Sequence, residues 1–86
     1  MDLKLIDTSV IRTGQFQMMR REAQLLYFYL AMYSDDRGYA DAFVVGKIAG
    51  TNYVEINILV RNGFIEITDE YSSIVRVNGA GIASET

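Results

Sequence analysis

Residues 23–33, AQLLYFYLAMY, contain neither Gly nor Pro, and every position from Leu25 onward is apolar or aromatic. A stretch of about eleven such residues is long for a strand and average for a helix, so length decides for a central helix. Ala23, Leu26, Tyr27 and Leu30 follow the i, i+3, i+4, i+7 spacing of a buried stripe, and Leu25, Phe28, Tyr29 and Met32 fill the opposite side. A helix apolar on both sides needs cover on both sides. In a chain of 86 residues the other elements wrap only part of it, which makes Leu25, Tyr29 and Met32 candidate contacts for a second subunit. The plainer alternative is a core helix with exposed tyrosine hydroxyls.

With hydrophobic residues at 50%, the chain has material for one small core, and its longest apolar run is too short to span a bilayer. The start, MDLKLID, lacks the basic-then-apolar order of a signal peptide. No membrane association and a cytoplasmic location are therefore expected. The absence of Cys and His removes the ordinary zinc site, the Ser-His-Asp triad and imidazole acid–base catalysis. Gly46-Lys47 fails as a phosphate loop, because Asp41 stands where the first Gly belongs and Ile48 where Ser or Thr belongs. Asp35, Asp36 and Asp41 lack the alternating ligands and terminal Glu of a calcium loop. No enzyme, metal or cofactor is expected. The formal net charge of −3 opposes duplex DNA as a partner unless local cations outweigh it.

Along the chain, residues 1–12 make an N-terminal arm or short strand, with Leu3, Leu5 and Ile6 as its apolar positions. Thr13 is placed to cap a short helix that points Phe16 and Met19 inward. Arg20 and Arg21 leave a small basic patch at the start of the central helix, either a solvated turn or a contact for phosphate or an acidic partner. SDDRGYAD breaks the helix and leads to a very short strand at Tyr39 and Ala40. Asp41 caps a helix over residues 42–49 with Val44, Val45 and Ile48 on one face, and Gly50 ends it. Asn52 and Glu55 have capping-box spacing and open a helix to about Asn62, with Ile56, Leu59 and Val60 inward and Val54, Glu55, Asn57, Ile58 and Arg61 facing elsewhere.

After Gly63 the period becomes two. Pairing Ile67 with Val75 sets Ile65 opposite Val77 and Glu66 opposite Arg76, around a turn over residues 68–73. Residues 78–86, NGAGIASET, are expected to be a flexible tail or the start of a linker. The order of elements is that of an α+β fold, a small winged helix-turn-helix domain over residues 13–77 with the hairpin as wing. An all-α bundle with a disordered tail is the competing architecture.

QLLYFYLAMYSDDRGYADAF and EINILVRNGFIEI, within residues 11–77, resemble the N-terminal winged-helix domain of phage replisome organisers and related DnaD-like replication proteins. The matching pieces are the LYF-type helix at residues 26–30, the acidic turn at residues 35–39 and the G-F-I step that closes residues 59–65. At Arg20 and Arg21 the chain departs from a pattern that commonly has a small residue or Pro. The resemblance implies an amino-terminal DNA-binding and oligomerisation module of a phage or plasmid replication initiation protein. DNA from an origin region, a second copy of the chain, and a helicase loader or other replication protein are the partners it implies.

Asn52, Asn57 and Arg61 on the last helix, with Lys47 and Arg76 nearby, are the candidate DNA contacts, since Asn suits adenine and Arg suits guanine or phosphate. Glu55 on the same helix and Asp69 and Glu70 at the hairpin tip oppose phosphate. Val54 and Ile58, with Leu25, Tyr29 and Met32, are the candidate protein interface. They support the alternative of a protein–protein interaction module of the replication machinery, or a winged-helix transcriptional regulator, without DNA contact by this segment.

Overall fold

The computed structural model describes residues 4–6, 8–69 and 71–82. Leu3, the side chains of Leu5 and Ile6, and Glu70 lie outside what is described. In chain order the elements are β1 (Lys4–Ile6), α1 (Thr8–Ile11), α2 (Gly14–Gln17), α3 (Arg21–Tyr33), β2 (Tyr39–Asp41), α4 (Ala42–Ala49), α5 (Tyr53–Arg61), β3 (Ile65–Ile67), β4 (Ile74–Val77) and β5 (Ala80–Ile82).

The predicted stripe of α3, Ala23, Leu26, Tyr27 and Leu30, is the floor of the core, and Ala31 is buried beside it. Phe16 of α2 is driven onto it edge-on, with ring centroids 5.5 Å from Tyr27 and 5.5 Å from Phe64, a geometry that sets positive ring edge against negative ring face. The Thr13 side chain accepts the Phe16 N–H at 3.1 Å and so fixes the helix that presents this ring. Gln24 then donates to the Phe16 carbonyl at 2.9 Å and holds the turn between α2 and α3 closed. Leu59 from α5 and Ile65, Val75 and Val77 from the strands complete the core.

Strands β2, β4 and β3 form an antiparallel sheet in that order, which removes the all-helical alternative. Its hairpin register is the predicted one: Ile65 faces Val77, Glu66 faces Arg76 and Ile67 faces Val75. Val75 and Val77 turn to the core while Arg76 turns to the outer face and pairs with Glu66 at 3.1 Å. The buried Tyr27 hydroxyl donates to the Asn78 carbonyl at 2.6 Å, tying α3 to the end of β4. The segment is thus a small α+β arrangement with helices packed against a three-stranded antiparallel sheet.

Three local expectations are corrected. The arm does contain a strand, but it continues into the short α1, and the segment read as a tail supplies β5, which pairs antiparallel with β1. The pairing joins residues almost a full chain apart, so no local pattern announces it. On α4 the inward face is Ala42, Val45 and Gly46, with Val44 and Ile48 exposed. Val44 at 50% and Ile48 at 49% exposure are left on the outside of the helix. Glu55 is the third: it points inward and is only 4% exposed.

Candidate functional site

Helix α5 is oriented by its own first turn. Gly50, in the left-handed conformation at φ 75°, ends α4 and turns the chain. The Asn52 side chain accepts the Val54 N–H at 2.8 Å, and Glu55 Oε1 accepts the Asn52 N–H at 3.1 Å, closing the predicted capping box. That reciprocal bond requires Glu55 to fold back along the helix. Its second oxygen lies 3.7 Å from Arg20 Nη1 at the start of α3.

With Glu55 and Leu59 inward, the outward face of α5 is Tyr53, Val54, Asn57 and Arg61, all exposed. The side chains of Asn57 and Arg61 form no hydrogen bond or ion pair with any described residue. Glu55 is the sole acid from position 42 to position 65, a segment that also carries Lys47 and Arg61. Because this acid is buried and paired, the exposed face of α5 carries Arg61 with no carboxylate of its own helix beside it, while the Asp41 carboxylate sits at the N-terminus of α4. Glu55, expected on the outward face where it would oppose phosphate, is thus withdrawn from that face.

The other candidates are dispersed. Asn52 spends its carbonyl oxygen on the cap. Lys47 lies on α4 with its Nζ 4.4 Å above the centre of the Phe43 ring, a cation–π contact. Arg76 is held by Glu66 on the outer face of the sheet and does not join Asn57 and Arg61. Arg20 sits between Glu22 and Glu55, each at 3.7 Å, so the expected basic patch is largely neutralised on its Arg20 side.

Of the candidate interface residues, Leu25, Tyr29 and Met32 share one stripe of α3. Leu25 is 44% and Met32 57% exposed, while Tyr29 is half-buried with its ring stacked on Tyr33 at 6.5 Å. Val54 belongs to the outward face of α5 rather than to that stripe. Ile58 is half-buried against the core, beside Met18, Met19 and Arg20.

Two residues absent from the sequence reading stand out. Phe43 is 59% and Tyr53 72% exposed, and both border a recess of about 250 Å³ between α4 and α5. A second recess of about 330 Å³ between α4, α5 and the hairpin shares Ala42, Phe43 and Ile56 with the first. The spacing of Phe43 and Lys47, one helical turn apart, was the available signal, hidden by assigning Val44 and Ile48 to the buried face.

Three described aspartates, Asp35, Asp41 and Asp69, serve the backbone. Asp35 accepts the Arg37 and Tyr39 N–H groups, each at 2.9 Å, and Asp69 accepts the Tyr71 N–H at 3.0 Å. Asp41 caps α4, and the Ser73 hydroxyl together with the Val44 and Phe43 N–H groups holds its carboxyl below the ordinary value, against the opposing effect of burial. Among the described residues no group of three acids, Cys or His is arranged to hold a metal ion. No described helix is long and apolar enough to cross a membrane. Comparison of the chain with protein-family models, with curated proteins and with solved structures finds no match.

Proposed function

We propose that this chain is a winged helix-turn-helix module that binds DNA, with α4 and α5 as the helix pair, α5 as the helix that enters the major groove, and the β3–β4 hairpin as the wing. The observation that carries the reading is the outward face of α5: the side chains of Asn57 and Arg61 are exposed and unengaged by described residues, and the one acid of that helix is turned into the protein. An amide and a guanidinium on an exposed helix face are the groups that recognise base edges and phosphates. The resemblance to replisome organisers supports a role in initiating replication of a phage or plasmid genome, and the module acts there without enzymatic chemistry of its own.

Fluorescence anisotropy with a labelled duplex across a salt series tests this. Binding is expected to weaken steeply as salt rises, and Arg61→Glu is expected to weaken it about tenfold or more while leaving the fold intact. Duplex affinity unchanged by Arg61→Glu would reject α5 as the reader.

A second reading rests on a different surface. The stripe of Leu25, Met32 and Tyr33 on α3 is apolar and more than two-fifths exposed at each position. It fits self-association or docking to a helicase loader or other replication protein, and either would add weak DNA contacts through avidity.

A further inference from the structure

We propose that the recess between α4 and α5 is a stacking site for one unpaired base of DNA. This rests on the reading of α5 as a DNA-contacting helix and adds to it a preference for DNA in which a base is out of the duplex.

The recess is bordered by Phe43, Gly46, Lys47, Thr51, Tyr53 and Ile56. The exposed Tyr53 ring and the face of the Phe43 ring that Lys47 does not cover, beside Ile56, offer the π faces on which bases stack whatever their sequence. The Lys47 ammonium, held over the Phe43 ring at 4.4 Å, puts a cation at the rim for the phosphate that flanks a bound base. The Asn52 carbonyl oxygen is committed to the Val54 N–H at 2.8 Å. That fixes the amide orientation and leaves its NH2 group, which has no described partner, as a donor at the same rim. A flat π system carrying ring carbonyls and an attached phosphate matches this set of groups.

Gly46 is the independent observation. It lies inside α4 and is not among the glycines with positive φ. A Cβ at this position would meet Thr51 Oγ1 at 3.7 Å and Ile56 Cδ1 at 3.9 Å, which are ordinary contacts. Neither backbone conformation nor close packing therefore calls for glycine, although glycine weakens a helix interior relative to alanine. What the missing methyl preserves is space between Thr51 and Ile56, two of the residues that border the recess.

The test is anisotropy of the protein with a plain duplex and with the same duplex carrying one unpaired thymine. The wild-type chain is expected to bind the second about fivefold or more tightly than the first. Gly46→Ala and Phe43→Ala are each expected to abolish that preference and to retain plain-duplex affinity, with circular dichroism confirming the fold. A wild type that binds both probes alike, or a preference that survives in both variants, overturns the stacking site and leaves the α5 reading standing. A wild type that binds neither probe at low salt overturns both.

Discussion

Arg20 Nη1 lies 3.7 Å from Glu55 Oε2, joining the residue that precedes α3 to a carboxylate buried in the first turn of α5. The arginine side chain is 55% exposed and that of the glutamate 5%, so the two ends of the pair are solvated very differently. Most of what Glu55 contributes comes from its cap on the Asn52 N–H rather than from the exposed arginine. Glu55→Ala is expected to lower unfolding free energy by about 1–3 kcal/mol, as loss of a cap and of a buried polar contact does. Arg20→Ala is expected to cost about 1 kcal/mol or less. Urea unfolding of both singles and the double closes the cycle, with a coupling of about 0.5–1 kcal/mol expected. An Arg20→Ala loss as large as that of Glu55→Ala would place the main stabilisation in the ion pair instead.

A second carboxylate joins α4 to the hairpin and has a pH signature. Ser73 Oγ donates to Asp41 Oδ1 at 2.6 Å, and the same oxygen accepts the Phe43 N–H at 3.0 Å and the Val44 N–H at 3.2 Å. The hydroxyl is the largest cause of the lowered Asp41 value. A carboxyl lowered in the folded state contributes stability that is fully present above its ordinary value of 3.8 and is lost as pH falls through the lowered folded one. Ser73→Ala is therefore expected to move the Asp41 titration up toward 3.8 in an NMR pH series. It should also make the loss of stability with falling pH shallower. A titration unmoved by Ser73→Ala would assign the lowering to the helix N–H groups alone.

The pattern of these contacts explains what the sequence made legible. The β3–β4 register could be derived because alternation and opposite charge constrain it together: Ile67 with Val75 forces Glu66 onto Arg76. The capping box is visible from the spacing of Asn52 and Glu55, and it carries the burial of Glu55 with it. A glutamate that bonds back to its own N-cap is committed to that bond and, once Arg20 covers it, leaves the exposed face. On α4 only Val45 of the expected inward face is buried, and Ala42 and Gly46, which share its face, escape the pattern because they carry little hydrophobic signal beside Val44 and Ile48. Strand β5 was missed for a different reason: its partner is β1, and nothing in NGAGIASET reports a partner that far away. The candidate site was half legible. Asn57 and Arg61 follow from helical period, whereas the Phe43–Tyr53 recess depends on how two helices meet.

The α3 stripe and Ile58, grouped together as interface candidates on sequence, are separated by burial and so by experiment. Met32 is 57% exposed and absent from the core cluster. Met32→Glu is expected to leave stability within about 0.5 kcal/mol of wild type and to hold the chain monomeric at concentrations where wild type self-associates. Light scattering across a concentration series reads this directly. Ile58 packs against the core, and Ile58→Glu is expected to cost about 1–3 kcal/mol whatever the oligomeric state, because it takes a charge into a half-buried site. A wild type that stays monomeric throughout would remove α3 as an association surface.

Gly46→Ala separates stability from binding. Contacts of 3.7 Å and 3.9 Å for the added methyl require no displacement of Thr51 or Ile56, and α4 gains helix propensity of about 0.5–1 kcal/mol when an interior glycine becomes alanine. The urea midpoint is accordingly expected to rise at unchanged slope. The same methyl occupies space beside Thr51 and Ile56 in the recess, so a protein made more stable is expected to lose its preference for an unpaired base. A substitution that destabilises the fold usually weakens binding as a side effect, and this one excludes that explanation because the two effects have opposite signs. A fall in the midpoint would show instead that glycine at this position serves the packing of α4 against α5.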